Sequence, residues 1–381
     1  MLGRRLFLPY VVAVVATISV QQHPHAAQDD RLEQLHRREG EALIALADAA
    51  LAGQSVPSDL TIHWKNDVLK AQQGTFVPFV VTIDPVSPAP AALLLYVRLV
   101  DRSRSFRPQR PDTPRGEVRP SDRSRRDEDA IVPSAVEEVY PISLRAAARG
   151  PIRVSRGFSV RAGEYDLVVV ARERVDPAHP AAPRRAATLT KRLTLPDFAH
   201  SELTTSSVIL ADGLTVLPGP PPADQPSERP YLIGLSEIQP AADSIFRRDE
   251  ELIVVFLVYN PHVTQERKFD IEVEYHFFTK TGGPLEGDLK VGADGTRPPA
   301  RDGERYFNHT KPQRFTPAIM GPQFDPTAGQ PLMAGQGVPL AAFPEGEYRL
   351  SIRVTDVVTG KSIVRDVSFS VVESSANERS D

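Results

Sequence analysis

One sequence pattern occurs near the middle of this chain and again near its end, and it limits the possible folds more than any other. Phe158 precedes the run Gly163-Glu164-Tyr165, and Phe343 precedes the run Gly346-Glu347-Tyr348. After each tyrosine, apolar residues recur at every second position, which is the side-chain period of a β-strand with one buried face. The repetition predicts two domains of the same β-type.

The segments around this pattern repeat as well. A closing strand follows each copy and carries a cation in the same slot, Lys191 in the first copy and Arg365 in the second. A glycine just before a tyrosine that enters the penultimate strand is typical of the tyrosine corner of immunoglobulin-like sandwiches. The sequence therefore predicts an all-β fold with two immunoglobulin-like β-sandwich domains in tandem, preceded by a short α-helix. We expect four residues to define this fold: Gly163, Tyr165, Gly346 and Tyr348.

Proline places the boundaries of these domains. The chain contains 36 prolines, which argues against long helices because proline lacks the backbone donor that a helix needs. We predict sandwich domain 1 at 57–200 and domain 2 at 228–373, with a proline-rich linker at 201–227 between them, and we expect domain 2 to fold alone. The stretch near 102–130 is rich in Arg, Ser and Pro without apolar periodicity, which predicts a disordered insertion. A disordered tail is predicted at 374–381.

One strand pattern differs from the others. Residues 252–259 are apolar on both faces, which is typical of a central strand. In contrast, residues 269–277 alternate between apolar and polar side chains, which indicates one face in a core and one in water.

The N-terminal segment predicts export. Arg4 and Arg5 precede an apolar run at 6–20, and Ala26-Ala27 offers a cleavage point, so residues 1–27 have the organisation of a signal peptide. The run is shorter than a bilayer span, which favours cleavage, with an uncleaved anchor as the alternative. The expected localisation is periplasmic or secreted, with no membrane span in the mature chain.

A helix is predicted at 30–53, where leucines recur near helical spacing and Gly53 follows the last of them. Two roles are open for this helix. It packs against the first domain, or it binds a partner or a second copy of the chain.

No motif of a known active site occurs in the sequence. The chain has no cysteine, which excludes a thiol nucleophile and cysteine-ligated metals. It contains neither a Gly-x-Ser-x-Gly elbow nor a His-Glu-x-x-His motif. The run Asp101-Arg102-Ser103-Arg104-Ser105 has cation-site spacing, but its arginines would repel a cation. We predict no catalytic residue, no cofactor and no metal. The net charge of −4 gives no reason to expect nucleic acid as a partner.

A short aromatic patch is the candidate ligand surface. It lies in the Gly- and Pro-rich stretch 279–338, which the sequence indicates to be a long connection between strands. Aromatic rings on such connections are a common means of binding glycans or proteins. The candidate residues are Tyr306, Phe307, His309 and Phe315.

Two stretches carry a resemblance. Residues 193–211 and 343–350, the second with its closing strand, resemble secreted bacterial proteins in which such β-rich regions follow a von Willebrand factor A-related domain. The resemblance covers roughly residues 57–373. The chain lacks the alternating strands and helices of the A domain itself. The resemblance implies an exported protein and brings no assigned activity.

Three functions follow from these patterns as hypotheses. The first is an exported, non-enzymatic cell-envelope protein that binds or scaffolds, with an envelope protein or a glycan as its unidentified partner. The second is a glycan-binding accessory protein that uses the aromatic patch. The third is an unrecognised hydrolase, which would need carboxylates or histidines clustered in a pocket.

Overall fold

The computed structural model describes residues 24–72, 74–105, 134–143, 150–175, 183–219, 228–280 and 298–374, with side chains described from residue 34 onward within the first helix. Three predicted segments lie wholly or largely outside these ranges: the signal peptide at 1–27, the insertion near 102–130 and the tail at 374–381.

Strands dominate the described residues. The helices are α1 (Pro24–Leu51), α2 (Arg102–Ser105) and α3 (Pro317–Met320), with a 3₁₀ turn at Pro326–Ala328. The strands of the first half are β1 (Ile62–Asn66), β2 (Leu69–Lys70), β3 (Thr75–Ile83), β4 (Ala92–Asp101), β5 (Ser134–Ser143), β6 (Ile152–Val160), β7 (Gly163–Glu173) and β8 (Ala186–Leu195). Those of the second half are β9 (Thr204–Thr205), β10 (Ile209–Val216), β11 (Leu232–Ile233), β12 (Ser236–Pro240), β13 (Ile245–Arg247), β14 (Glu251–Tyr259), β15 (Ile271–Lys280), β16 (Glu304–His309), β17 (Gln313–Phe315), β18 (Leu332–Pro339), β19 (Gly346–Asp356) and β20 (Lys361–Val372). The predicted all-β class is confirmed.

Within the described residues, the strands form four sheets that pack as two pairs. In the first pair, β3 is flanked by β1 and β2 on one side and by β6 on the other, and this inner sheet faces an outer sheet of order β5-β4-β7-β8. In the second pair, the inner sheet is β11-β12-β10-β14-β18 with β9 also on β14, and the outer sheet is β13-β20-β19-β15-β16 with β17 also on β15. A separate apolar core fills each pair.

The two pairs share a common set of strands in the same order, to which the second pair adds β11, β12 and β13. In both, the central strand of the inner sheet pairs with a first strand that is broken into two pieces, and the last two strands of the shared set, β7-β8 or β19-β20, lie side by side in the outer sheet. The predicted repeat therefore corresponds to a repeated arrangement of strands. The finer assignment to the immunoglobulin-like class stays a prediction.

The two pattern tyrosines occupy matching environments. Tyr165 donates a hydrogen bond from its hydroxyl to the Arg161 carbonyl oxygen at 2.9 Å, and Tyr348 donates to the Pro344 carbonyl oxygen at 2.6 Å. Both rings are buried. The glycine two residues before each has a positive φ, 153° at Gly163 and 146° at Gly346, which L-residues rarely adopt.

Proline is tolerated in the central strand β3 because of a break in its neighbour. Pro78 has no N–H to donate, and it lies opposite the gap between β1 and β2, where only the Asp67 N–H donates to its carbonyl oxygen. In the second pair, the corresponding gap separates β9 from β10. There Ser206 donates its N–H to the Leu257 carbonyl oxygen and accepts the Leu257 N–H on its hydroxyl oxygen at 2.8 Å.

Helix α1 packs on the first outer sheet, on the face that points away from the core. Leu43 and Ala47 are fully buried against Tyr96 and Val170, which pair across β4 and β7. At the corresponding place in the second outer sheet, Glu274 pairs with Arg353, and no helix of the described chain covers them. The face that carries apolar side chains is the one that receives the helix. The described structure thus realises the first of the two roles left open for this helix.

Two sequence expectations are wrong in detail. The described part of the predicted linker, 201–219, contains β9 and β10, and Leu210 is buried in the second core. The stretch 279–338 contributes β16, β17 and β18 to the two sheets of the second pair, so it is more than a connection. Both regions are polar or glycine-rich, so their sequences do not show the alternation of apolar and polar residues that indicates a strand.

Candidate functional site

The two inner sheets pack against each other through the faces that point away from their own cores. Val80 of β3 lies in one apolar cluster with Ile209, Ile238 and Val255 of the second inner sheet. A second cluster joins Leu69 of β2 to Leu257 and Tyr259 of β14 and to Phe198. Strand β14 is therefore buried on both faces, since one face lines the second core and the other lines this junction.

The broken strands of the two pairs meet at the junction. Val68, in the first break, donates its N–H to the Ser207 hydroxyl oxygen at 3.0 Å, and the Ser207 N–H donates to the Val68 carbonyl oxygen at 2.9 Å. Each break leaves backbone groups without a partner in its own sheet. Each break supplies hydrogen-bond partners for some of the unpaired backbone groups of the other, which fixes the position of one sheet pair on the other.

A buried carboxylate lies beside this contact. Asp67 is only 5% exposed and accepts a hydrogen bond from the Tyr231 hydroxyl at 3.0 Å. Burial raises the pKa of Asp67 to about 6, although the Tyr231 hydrogen bond and the nearby Lys65 act in the opposite direction. Burial also raises the pKa of Tyr231.

Two cations tie the junction to the turn that follows β12. Lys65 donates from its ammonium group to the Ala241 carbonyl oxygen at 2.8 Å, and Arg153 donates to the Pro240 carbonyl oxygen at 2.6 Å. Burial lowers the pKa of Lys65, while Asp67 is the largest influence that raises it. The junction is therefore both apolar and specifically hydrogen-bonded.

A cleft of about 400 Å³ opens at one side of the junction. One wall is the segment 204–208 and the other is the stretch 365–367 of β20, with Asp67 and Phe198 also on the lining. The Arg365 guanidinium crosses between the walls and donates from Nε to the Thr205 hydroxyl oxygen at 2.9 Å.

The predicted aromatic patch does not form a single surface. Phe307 and Phe315 turn inward and pack on the second core, with the Phe307 ring 4.8 Å from Phe343. Tyr306 and His309 instead lie on the outer face of the second outer sheet, where the Tyr306 hydroxyl is 2.9 Å from His309 Nδ1. Neighbouring strand residues point to opposite faces, which separates Tyr306 from Phe307, and the register shift at Phe307 returns His309 to the face of Tyr306.

The sequence interpretation missed the residues of the cleft. Asp67 and Ser207 are 140 positions apart and carry no motif, so nothing local indicated their meeting. Arg365 was visible as the cation repeated in the closing strand, but its role depends on the neighbouring sheet. No group of three or more His, Asp or Glu residues with metal-site geometry occurs among the described residues.

No protein-family model matches the chain, and no curated protein matches it in sequence. The resemblance to secreted von Willebrand A-related proteins accordingly stays a prediction. Among the helices of the described residues, none has the length and apolarity needed to cross a bilayer.

Proposed function

We propose that this chain is an exported, non-enzymatic module of the cell envelope that binds or scaffolds, and that the cleft beside the junction of its two sheet pairs is the contact site. The observation that carries the proposal is the junction itself. Its apolar clusters and hydrogen bonds fix the 204–208 wall of the cleft against the first sheet pair, and the hydrogen bond from Arg365 to Thr205 links that wall to β20. A site with fixed walls loses little conformational entropy on binding.

A second candidate is a glycan-binding role on the outer face of the second outer sheet. The specific observation in its favour is that Tyr306 and His309 present neighbouring rings there, with centroids 6.4 Å apart, and His309 is exposed. Glu274 and Arg353 lie on the same sheet face and could hydrogen-bond sugar hydroxyls. Phe307 and Phe315 take no part in this version, since they pack inward.

The absence of cysteine from the sequence permits a clean test. A single cysteine placed at Thr204 in the cleft, labelled with a thiol-reactive photo-crosslinker, reports what lies in that site in an envelope fraction. The same label at His309 reports the glycan face. A label at Glu164, exposed in the first sheet pair, is the matched control.

We expect one discrete adduct from Thr204→Cys that the Glu164→Cys control does not form. An adduct confined to His309→Cys would favour the glycan-binding role. Identical adducts from all three positions, or none, would contradict a specific binding module. Release of a product from envelope material by the purified chain would instead indicate the hydrolase.

A further inference from the structure

Strand β20 has an open edge beside the cleft. Its register with β19 runs without a shift from Lys361 to Val371, and on the opposite side β13 pairs only with Ser370–Val372. In the described part of the chain, no strand covers the remaining residues, 361–369, on that side. The edge lacks proline and a bulge, two of the devices that block strand addition, and the charged side chains along it are Lys361, Arg365 and Asp366.

The hydrogen bonds to β13 show which backbone groups point outward. Ser370 donates its N–H to the Ser244 carbonyl oxygen at 2.7 Å, and the Val372 carbonyl oxygen accepts the Arg248 N–H at 3.0 Å. Backbone groups alternate in direction along a strand, so those of Asp366 and Ser368 point to the same side. Asp366 also lines the cleft.

Arg365 places a positive charge in the same cleft. Its guanidinium is half-buried, on the side of β20 that also carries Ile363 and Val367, and it donates to two neutral acceptors, the Thr205 hydroxyl and the Val364 carbonyl oxygen. Among the described residues, no carboxylate lies within salt-bridge distance of it. Most other half-buried arginines of the described chain, such as Arg185 and Arg229, are paired with a carboxylate.

The acidic side chains of the cleft are engaged elsewhere. Asp366 pairs with Arg349 at 3.0 Å and also with Arg301, on the outer face of the sheet. Asp67 accepts from Tyr231 within the junction, and Asp197 accepts the Ala199 N–H at 2.8 Å. Arg365 is the one basic residue among the described residues that line the cleft, and both of its acceptors are neutral.

We propose that this cleft binds an extended peptide that adds a strand to the open edge of β20 and places an acidic side chain on Arg365. The peptide backbone pairs with the outward groups of Asp366 and Ser368, which supplies affinity independent of sequence. The carboxylate supplies specificity through a charge-assisted hydrogen bond with the guanidinium. This inference rests on the proposed binding function and names the chemistry of the partner.

The test uses the full chain and a fluorescein-labelled heptapeptide, Thr-Val-Thr-Glu-Thr-Val-Thr, in which alternation places both valines and the glutamate on one face. Fluorescence anisotropy should show saturable binding. Replacing the peptide's Glu by Gln, or Arg365→Gln in the protein, should weaken binding about 10- to 100-fold, as expected for a lost charge-assisted hydrogen bond. Lys361→Gln, at an exposed position of the same strand, should change binding less than twofold.

The backbone part of the proposal has its own pair of variants. Ser368→Pro removes one outward N–H without removing a bond to β19 and should weaken the Glu peptide at least 10-fold, whereas Ser368→Ala should leave it unchanged. Equal binding by the Glu and Gln peptides, or no saturable binding at millimolar peptide, would overturn the proposal. Binding of a glucuronate oligosaccharide through Arg365 in place of the peptide would overturn it too. If the peptide failed but Thr204→Cys still formed its crosslinked adduct, the proposed binding function would be supported and only the acidic peptide would be rejected as its ligand.

Discussion

Replacing Asp67 by Asn should change how the stability of this protein depends on pH. In the folded chain the carboxylate is buried at the junction, and its pKa is about 6, against an ordinary value of 3.8 when the chain unfolds. The folded state therefore binds a proton more tightly than the unfolded state does. The stability gained from that proton is fully present below pH 3.8 and is lost as the pH rises through about 6.

The size of the effect follows from the two pKa values. Each tenfold change in proton affinity corresponds to about 1.4 kcal/mol, so the difference between 3.8 and about 6 corresponds to about 3 kcal/mol. Asn is uncharged at every pH and retains a carbonyl oxygen that can accept the Tyr231 hydroxyl. The stability of Asp67→Asn relative to the native chain should hence be about 3 kcal/mol greater at pH 8 than at pH 3.5.

Trp64 provides the assay. It is the single tryptophan of the chain, it stacks on Phe79 with ring centroids 4.3 Å apart, and it lies on the strand that leads to Asp67. Urea unfolding followed by its fluorescence should give midpoints that differ between the two proteins by ~1–2 M more at pH 8 than at pH 3.5. The matched control is Asp197→Asn, in the same cleft, whose side chain is 51% exposed.

The control shows whether the loss of a half-exposed carboxylate from the same cleft has the same effect as the loss of the buried one. If the stability of Asp67→Asn ran parallel to that of the native chain across the pH range, the Asp67 carboxylate would be hydrated in solution. The sheet pairs would then not be packed at this junction as described, and the fixed cleft walls would lose their support.

Three further outcomes are expected from the same structure. Tyr165→Phe and Tyr348→Phe should each cost about 1–2 kcal/mol in thermal or urea unfolding, since each leaves a carbonyl oxygen without its hydroxyl donor; a loss in only one would contradict their equivalence. Gly346→Ala should cost about 1–3 kcal/mol through its positive φ alone, because nothing lies within 4 Å of the added methyl group; an unchanged melting temperature would refute that strain. A fragment 201–374 should melt cooperatively by circular dichroism, whereas 228–374 should not, since it lacks β10 and the buried Leu210; cooperative melting of both would restore the predicted boundary.

The predicted aromatic patch is an example of a surface that could not be predicted from the sequence. The four candidates lie close together in sequence, within a glycine- and proline-rich stretch whose composition predicts a connection. Once β16 is a strand, its period of two separates Tyr306 from Phe307, and Phe315 joins the core through β17. Glycines and polar residues mask such periods, so the existence of these strands depended on their pairing with β15.

Features of this protein that depend on neighbours along the chain can be predicted from its sequence. The period-two alternation, the repeated Gly-Glu-Tyr element and the two apolar faces of residues 252–259 all follow from local backbone geometry, and they predicted an all-β chain with two matching cores. Only the folded chain shows that the second apolar face of β14 packs on the first inner sheet, that the two strand breaks bond to each other, and that Arg365 lies in a cleft. Those contacts join residues more than a hundred positions apart, and hydrophobic burial specifies that a face must be covered without specifying by what.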